Sequence, residues 1–165
     1  MKSKILSVLT LLALLATFVH ATPDVFAEDA PLAIVFDVSG SMNENDSSGT
    51  VKLATAKAAM KDLVQSRRGQ RVGLWTYPGE GNQVDNCQVG GWVRGLSPSD
   101  NSDVTDVTAE IQMLTANGDT PTGPALKAAA DSLRAAGYGT ATIVLVSDGK
   151  SNCGPSPCEV AKSIV

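Results

Sequence analysis

Two strand-length apolar runs constrain this chain more than anything else in it. Leu32–Phe36 reads Leu-Ala-Ile-Val-Phe and passes directly into Asp37; Ala141–Val146 reads Ala-Thr-Ile-Val-Leu-Val and passes into Ser147 and Asp148. A strand with one wet face alternates apolar and polar residues. A run without alternation belongs to a strand covered on both faces, as in a parallel sheet under helices. Parallel neighbours need long crossovers, and the sequence supplies helical ones. Val51–Ser66 carries Leu53, Ala56, Met60, Leu63 and Val64 on one face, with Gly69 beyond its end. A second helix is predicted around Asp103–Thr115, with Val107, Ile111 and Leu114 as its apolar stripe. A third covers Pro124–Ala136, with proline in its first turn and Gly137 past its end. Val72–Tyr77 reads as a further strand, Gln88–Arg94 as a short edge strand, and a last helix starts at Cys158. Pro78–Asn86 and Ser97–Ser102 read as loops. The expected fold is α/β: a doubly wound, mostly parallel sheet with helices on both faces, and both long strands are expected to be fully buried.

The N-terminus reads as an address. Lys2 and Lys4 precede an apolar stretch over Ile5–Val19, and a small-residue exit follows at Val19-His20-Ala21 or Val25-Phe26-Ala27. This is the three-part plan of a secretory signal peptide. The expectation is a signal peptide over residues 1–27, cleaved after Ala21 or Ala27, ahead of a domain over residues 31–165. The apolar stretch of about fifteen residues is shorter than the ~20 of a spanning helix, so no membrane insertion of the mature domain is expected. Its location would be secreted, extracellular or in the cell envelope. Export also places Cys87, Cys153 and Cys158 in an oxidising compartment. Three is an odd number: Cys153 and Cys158 are close enough in sequence to bridge, Cys87 can reach either, and spacing does not choose between them.

The chain's single histidine, His20, falls within the segment to be removed. A mature protein without histidine cannot run a Ser-His-Asp triad, a Cys-His dyad or a His-ligated zinc site. The net charge of −4 gives no electrostatic footprint for nucleic acid.

What remains is oxygen chemistry at strand ends, where ligands of doubly wound sheets bind. The first run ends in Asp37-Val38-Ser39-Gly40-Ser41, the last in Ser147-Asp148-Gly149, and Gly118-Asp119-Thr120-Pro121 opens a helix between them. Asp37, Ser39 and Ser41 alternate, so in extended chain they point one way. Thr120 adds a hydroxyl and Asp148 a second carboxylate. Each alone also suits a cap or a turn; it is their joint placement on three loops that marks a site. Two carboxylates and three hydroxyls suit a hard divalent cation, Mg²⁺ first, with Mn²⁺ and Ca²⁺ as alternatives. So few carboxylates leave the ion electrophilic, ready for a further carboxylate from a partner.

Asp37-x-Ser39-x-Ser41, Thr120 and Asp148 together resemble the metal-ion-dependent adhesion site of von Willebrand factor type A domains. The contexts Asp-Val-Ser-Gly-Ser-Met, Gly-Asp-Thr-Pro and Val-Leu-Val-Ser-Asp-Gly agree, and the likeness runs from about Pro31 to Val165. The resemblance implies a parallel sheet with one antiparallel edge strand and a Mg²⁺-type ion at its top. It implies carboxylates acting directly or through water, three hydroxyls touching the ion, and a protein partner presenting Asp or Glu. The signal peptide and cysteines look like secreted bacterial members. Asp119 departs from the glycine common before that threonine. The family has about six strands against four here, so the domain is expected to be incomplete at its C-terminus.

Two rivals stand beside the binding module. A metal-dependent phosphate-ester hydrolase of the aspartyl-phosphate kind would need a second Asp two residues after Asp37; Ser39 stands there and cannot serve as general acid at neutral pH. A structural scaffold domain would ignore divalent ions altogether.

Overall fold

β1 (Leu32–Asp37) is buried at all six residues in the computed structural model, which describes residues 30–79, 87–96, 101–149 and 151–165. It is central because it is paired on both edges. β2 (Val72–Tyr77) lies parallel to it, Leu32 opposite Val72 and Asp37 opposite Tyr77. β4 (Thr142–Val146) lies parallel on the other edge, Leu32 opposite Thr142 and Phe36 opposite Val146. β3 (Gly91–Arg94) runs antiparallel to β2, giving the order β3-β2-β1-β4. The antiparallel edge strand expected from the family resemblance is therefore present. The expected signal peptide lies outside the described residues, as do 80–86 of the Pro78–Asn86 loop and 97–100 of the Ser97–Ser102 loop.

The two faces of β1 feed two cores. Leu32, Ile34 and Phe36 join Val72 and Leu74 beneath α1 (Lys52–Ser66) and α2 (Asn101–Met113), which contribute Leu53, Val64, Val104, Val107 and Ile111. On the other face Val35, Trp75 and Tyr77 pack against Ala125 and Ala129 of α3 (Thr122–Ala135). Period-two alternation along β1 is thus apolar on both faces, which is why the run lacks polar residues. Trp75 and Trp92 meet edge-on across β2 and β3 with ring centroids 5.3 Å apart. Their indole N–H groups are satisfied by the Val89 carbonyl and the Ser132 hydroxyl. Both tryptophans therefore serve the packing of the sheet edge.

α4 (Pro157–Ile164) opens with a capping box: the Ser156 hydroxyl accepts from the Glu159 N–H, and the Glu159 carboxylate accepts from the Ser156 N–H. The segment just before it meets α3 at Gly123, where any Cβ would collide with the Pro155 carbonyl.

One expectation is corrected and one open choice is decided. β4 is not fully buried: Thr142 and Leu145 are exposed, and the rest of the strand is half-buried. An apolar run reports what a strand would accept on its faces, whereas burial depends on what covers it. β4 ends the sheet, and among the described residues no strand pairs with its outer edge. Of the pairings open to the cysteines, Cys87 bonds Cys153 with Cα atoms 5.8 Å apart, and Cys158 is free and exposed. No helix among the described residues is long and apolar enough to cross a membrane.

Candidate metal centre

All five residues singled out from sequence lie on three loops at the C-terminal end of the sheet. Asp37 closes β1 and is 0% exposed, as is Ser39. The Asp37 carboxylate turns the chain: its Oδ1 accepts from the Ser39 N–H at 2.8 Å. Ser39 is extended (φ −68°, ψ 163°) and precedes a 3-10 turn over Gly40–Asn43, but its hydroxyl does not cap that turn. It sits 3.2 Å from the Ser41 hydroxyl instead. The two hydroxyls do meet, but not along one extended strand as the alternation implied, because Ser41 lies in the 3-10 turn; the cap role open to Ser39 is not taken.

The second loop is stitched to the first through backbone. The Gly40 N–H donates to the Gly118 carbonyl at 2.8 Å and the Asn117 N–H to the Val38 carbonyl at 2.7 Å. Gly118 holds φ +87° with the Pro78 ring against the place of a Cβ, so this approach requires glycine. Thr120 is buried at 6% exposure, and α3 begins after Pro121 rather than with a Thr120 cap. Its N–H donates to Asn152 Oδ1 at 2.8 Å and its carbonyl accepts from the Ser151 hydroxyl. Asn152 also donates to Asp119, which spends that carboxylate on fixing the two loops to each other.

The third loop follows β4. Ser147 donates its hydroxyl to Asp37 Oδ2 at 2.8 Å. The Asp148 side chain is 5% exposed and pairs with the Lys52 ammonium at 2.9 Å. Lys52, at the start of α1, also reaches Glu44 Oε2 at 2.8 Å and the Ser41 carbonyl at 3.4 Å. The Glu44 and then the Asp148 carboxylate hold the Lys52 ammonium above its usual pKa. Beneath the site, burial first and the Asp37 charge second push the Tyr77 phenol well above its ordinary range; its hydroxyl meets Thr122 Oγ1 at 3.4 Å.

The two carboxylates are served differently. Asp148 has a cation. Asp37, the more buried, is met by an N–H and a hydroxyl, and among the described residues no lysine or arginine forms an ion pair with it. A buried carboxylate given only neutral donors fits a bound cation, because a buried charge is costly without a counter-charge. Among the described residues no three His, Cys, Asp or Glu side chains gather at one point, so hydroxyls would have to supply much of any ion's shell. That agrees with an all-oxygen, hard-cation donor set. Lys52, Ser147 and Asn152 were not singled out from sequence. Ser147 adjoins Asp148 and was within reach of a spacing argument; Lys52 is 96 residues from its partner and carried no such signal.

The profile described as von Willebrand factor type A domain matches residues 32–150. The fold is similar to BatB from Bacteroides thetaiotaomicron, at 20% identity and TM-score 0.57, covering 82% of this chain and 60% of that one. It is similar to the pilus adhesin SpaC from Lactobacillus rhamnosus GG, at 19% identity and TM-score 0.57, covering 76% and 16%. It is similar also to the vWF domain of the type V pili tip protein Mfa5 from Porphyromonas gingivalis, at 22% identity and TM-score 0.51, covering 74% and 38%. The chain spans 60% or less of each of these three proteins. At such identities the likeness is one of fold. No curated protein matches the chain.

Proposed function

The chain belongs to the von Willebrand factor type A domain family, and on that premise we propose that it is an exported binding module whose grip on a protein partner depends on a divalent cation. Asp37, Ser39, Ser41, Thr120 and Asp148 would hold the ion, Mg²⁺ by donor chemistry, with Mn²⁺ and Ca²⁺ compatible. When bound, the ion supplies a Lewis-acidic position for an Asp or Glu of the partner. The chain's own part is to keep the position dry and rigid. Asp37 is buried at the end of a fully covered strand, the Ser39 and Ser41 hydroxyls lie 3.2 Å apart where the extended Ser39 enters a 3-10 turn, and the loops are tied by hydrogen bonds that leave the Ser39 hydroxyl out of capping duty.

The observation that carries the proposal is the buried Asp37 carboxylate, met among the described residues only by neutral donors. Calorimetry with Mg²⁺ and Mn²⁺ on the wild type and Asp37→Ala tests it. Saturable heat in the wild type and none in the variant is expected, and equal heats would overturn the assignment. Export by the N-terminal signal peptide and work outside the cell are part of the same proposal; two of the fold's likenesses are a pilus adhesin and a pilus tip protein. The residues argue for binding rather than turnover, since the one histidine, His20, falls in the segment proposed to be removed and Ser39, not an Asp, stands two residues after Asp37.

A second reading, a scaffold domain that works without an ion, has one observation behind it: Lys52 already places a positive charge on Asp148. If it holds, divalent ions will leave the melting temperature unchanged.

A further inference from the structure

We propose that Lys52 is a tethered cation that competes with the divalent ion for Asp148, so that this one side chain sets how tightly the site binds metal; the inference rests on the site reading given above. The ammonium sits among three oxygens from two segments, Asp148 Oδ2 at 2.9 Å on one side and Glu44 Oε2 at 2.8 Å and the Ser41 carbonyl at 3.4 Å from a single turn on the other. Two of those contacts, Asp148 and Ser41, belong to residues of the candidate metal set. Lys52 is thus placed at the metal centre and not merely near it.

The three oxygens are unlike in environment. The Asp148 side chain is 5% exposed and Glu44 is 54% exposed, with Lys52 between them at 21%. A divalent ion that takes Asp148 shares its carboxylate with the ammonium, and two positive charges on one carboxylate repel. Lysine can yield without leaving the neighbourhood. Its stem is flexible, its ammonium is a compact point charge with three donors, and Glu44 is already within contact on the solvent side. The Lys52–Asp148 pair accordingly neutralises a nearly buried carboxylate when no ion is held. The Lys52–Glu44 pair keeps the ammonium anchored when one is. Asp37 has no such substitute among the described residues, so the competition is confined to Asp148.

The test is Mg²⁺ calorimetry on the full chain as wild type, Lys52→Met and Lys52→Arg, with thermal melts in chelator. Lys52→Met is expected to bind Mg²⁺ about tenfold more tightly than the wild type, the weight of one partly screened charge pair, while Lys52→Arg stays near the wild-type value. In chelator, Lys52→Met should melt lower than the wild type, and the same substitution should have little effect in an Asp148→Asn background. Heat confined to Lys52→Met would support the tethered cation and overturn metal dependence in the native domain. Equal Mg²⁺ affinity in the wild type and Lys52→Met would overturn the role of Lys52 and leave the metal site standing. Absence of heat in all three proteins would overturn both.

Discussion

The Ser147 hydroxyl donates to Asp37 Oδ2 at 2.8 Å across 110 residues of chain, joining the ends of β4 and β1 at the base of the site. Asp37 is fully buried, so loss of this donor leaves a buried carboxylate oxygen short of a hydrogen bond. Ser147→Ala is expected to cost about 1–3 kcal/mol in denaturant melts run in chelator, the penalty of an unsatisfied buried group. Ser147→Thr, which keeps a hydroxyl, should cost less. Equal stability of Ser147→Ala and wild type would mean that another donor serves Asp37.

Asp37→Asn separates charge from shape. The amide oxygen can still accept from the Ser39 N–H, and its NH₂ can donate to the Ser147 hydroxyl, which rotates to accept. The variant should fold, and in chelator it should be at least as stable as the wild type, because a buried charge with no ion-paired cation among the described residues has been removed. Mg²⁺ at a hundred times the dissociation constant should stabilise the wild type by about 2.7 kcal/mol and Asp37→Asn not at all. Melts with and without the ion read both effects. A variant that is weaker in chelator yet still responds to Mg²⁺ would contradict this account.

The parts legible in the sequence were those specified locally. β1 and β2 lack alternation because both their faces are covered, and the sequence run records that directly. Ser39 and Ser41 are two apart, a nearness visible in five residues, although the 3-10 turn that holds Ser41 replaces the extended chain expected there. The burial of β4 was not legible, since Leu145 is as apolar as Val35 and differs only in having less packed over it. The role of Lys52 was hidden for a related reason. It looks like an ordinary first-turn lysine of α1, and its partner Asp148 is brought to it only by the β1–β4 pairing. The choice of Cys153 over Cys158 for Cys87 likewise depends on how the loops after β2 and β4 meet, not on spacing.

That disulfide closes a loop over a sequence separation of 66 residues. In the chain-entropy account, closing a loop of that length stabilises the fold by about 4 kcal/mol. Cys153→Ser should therefore unfold at markedly lower denaturant concentration, while Cys158→Ser should be near neutral, because Cys158 is exposed and unbridged. Alkylation of the folded, oxidised chain followed by mass spectrometry should modify Cys158 alone. Labelling of Cys87 or Cys153 under those conditions would refute the pairing.

Acid should loosen the loop beside the site before it unfolds the sheet. Asp46 gathers that loop: its Oδ1 accepts from the Ser48 N–H at 2.8 Å, the Ser48 hydroxyl at 2.6 Å and the Thr50 N–H at 3.1 Å. The Ser48 hydroxyl first, then the Thr50 and Ser48 N–H groups, hold the Asp46 carboxyl below its ordinary value of 3.8. A carboxyl whose folded pKa is depressed binds its proton more readily in the unlinked chain than in the native loop. Its contribution is thus complete above pH 3.8 and is lost as the pH falls through the lower folded value. The protection of the Ser48 and Thr50 amides, relative to their intrinsic exchange rates, should fall over that interval, and in Asp46→Ala it should be low at every pH. An Asp46 carboxyl titrating by NMR at or above 3.8 would show that these hydrogen bonds do not hold the loop in solution.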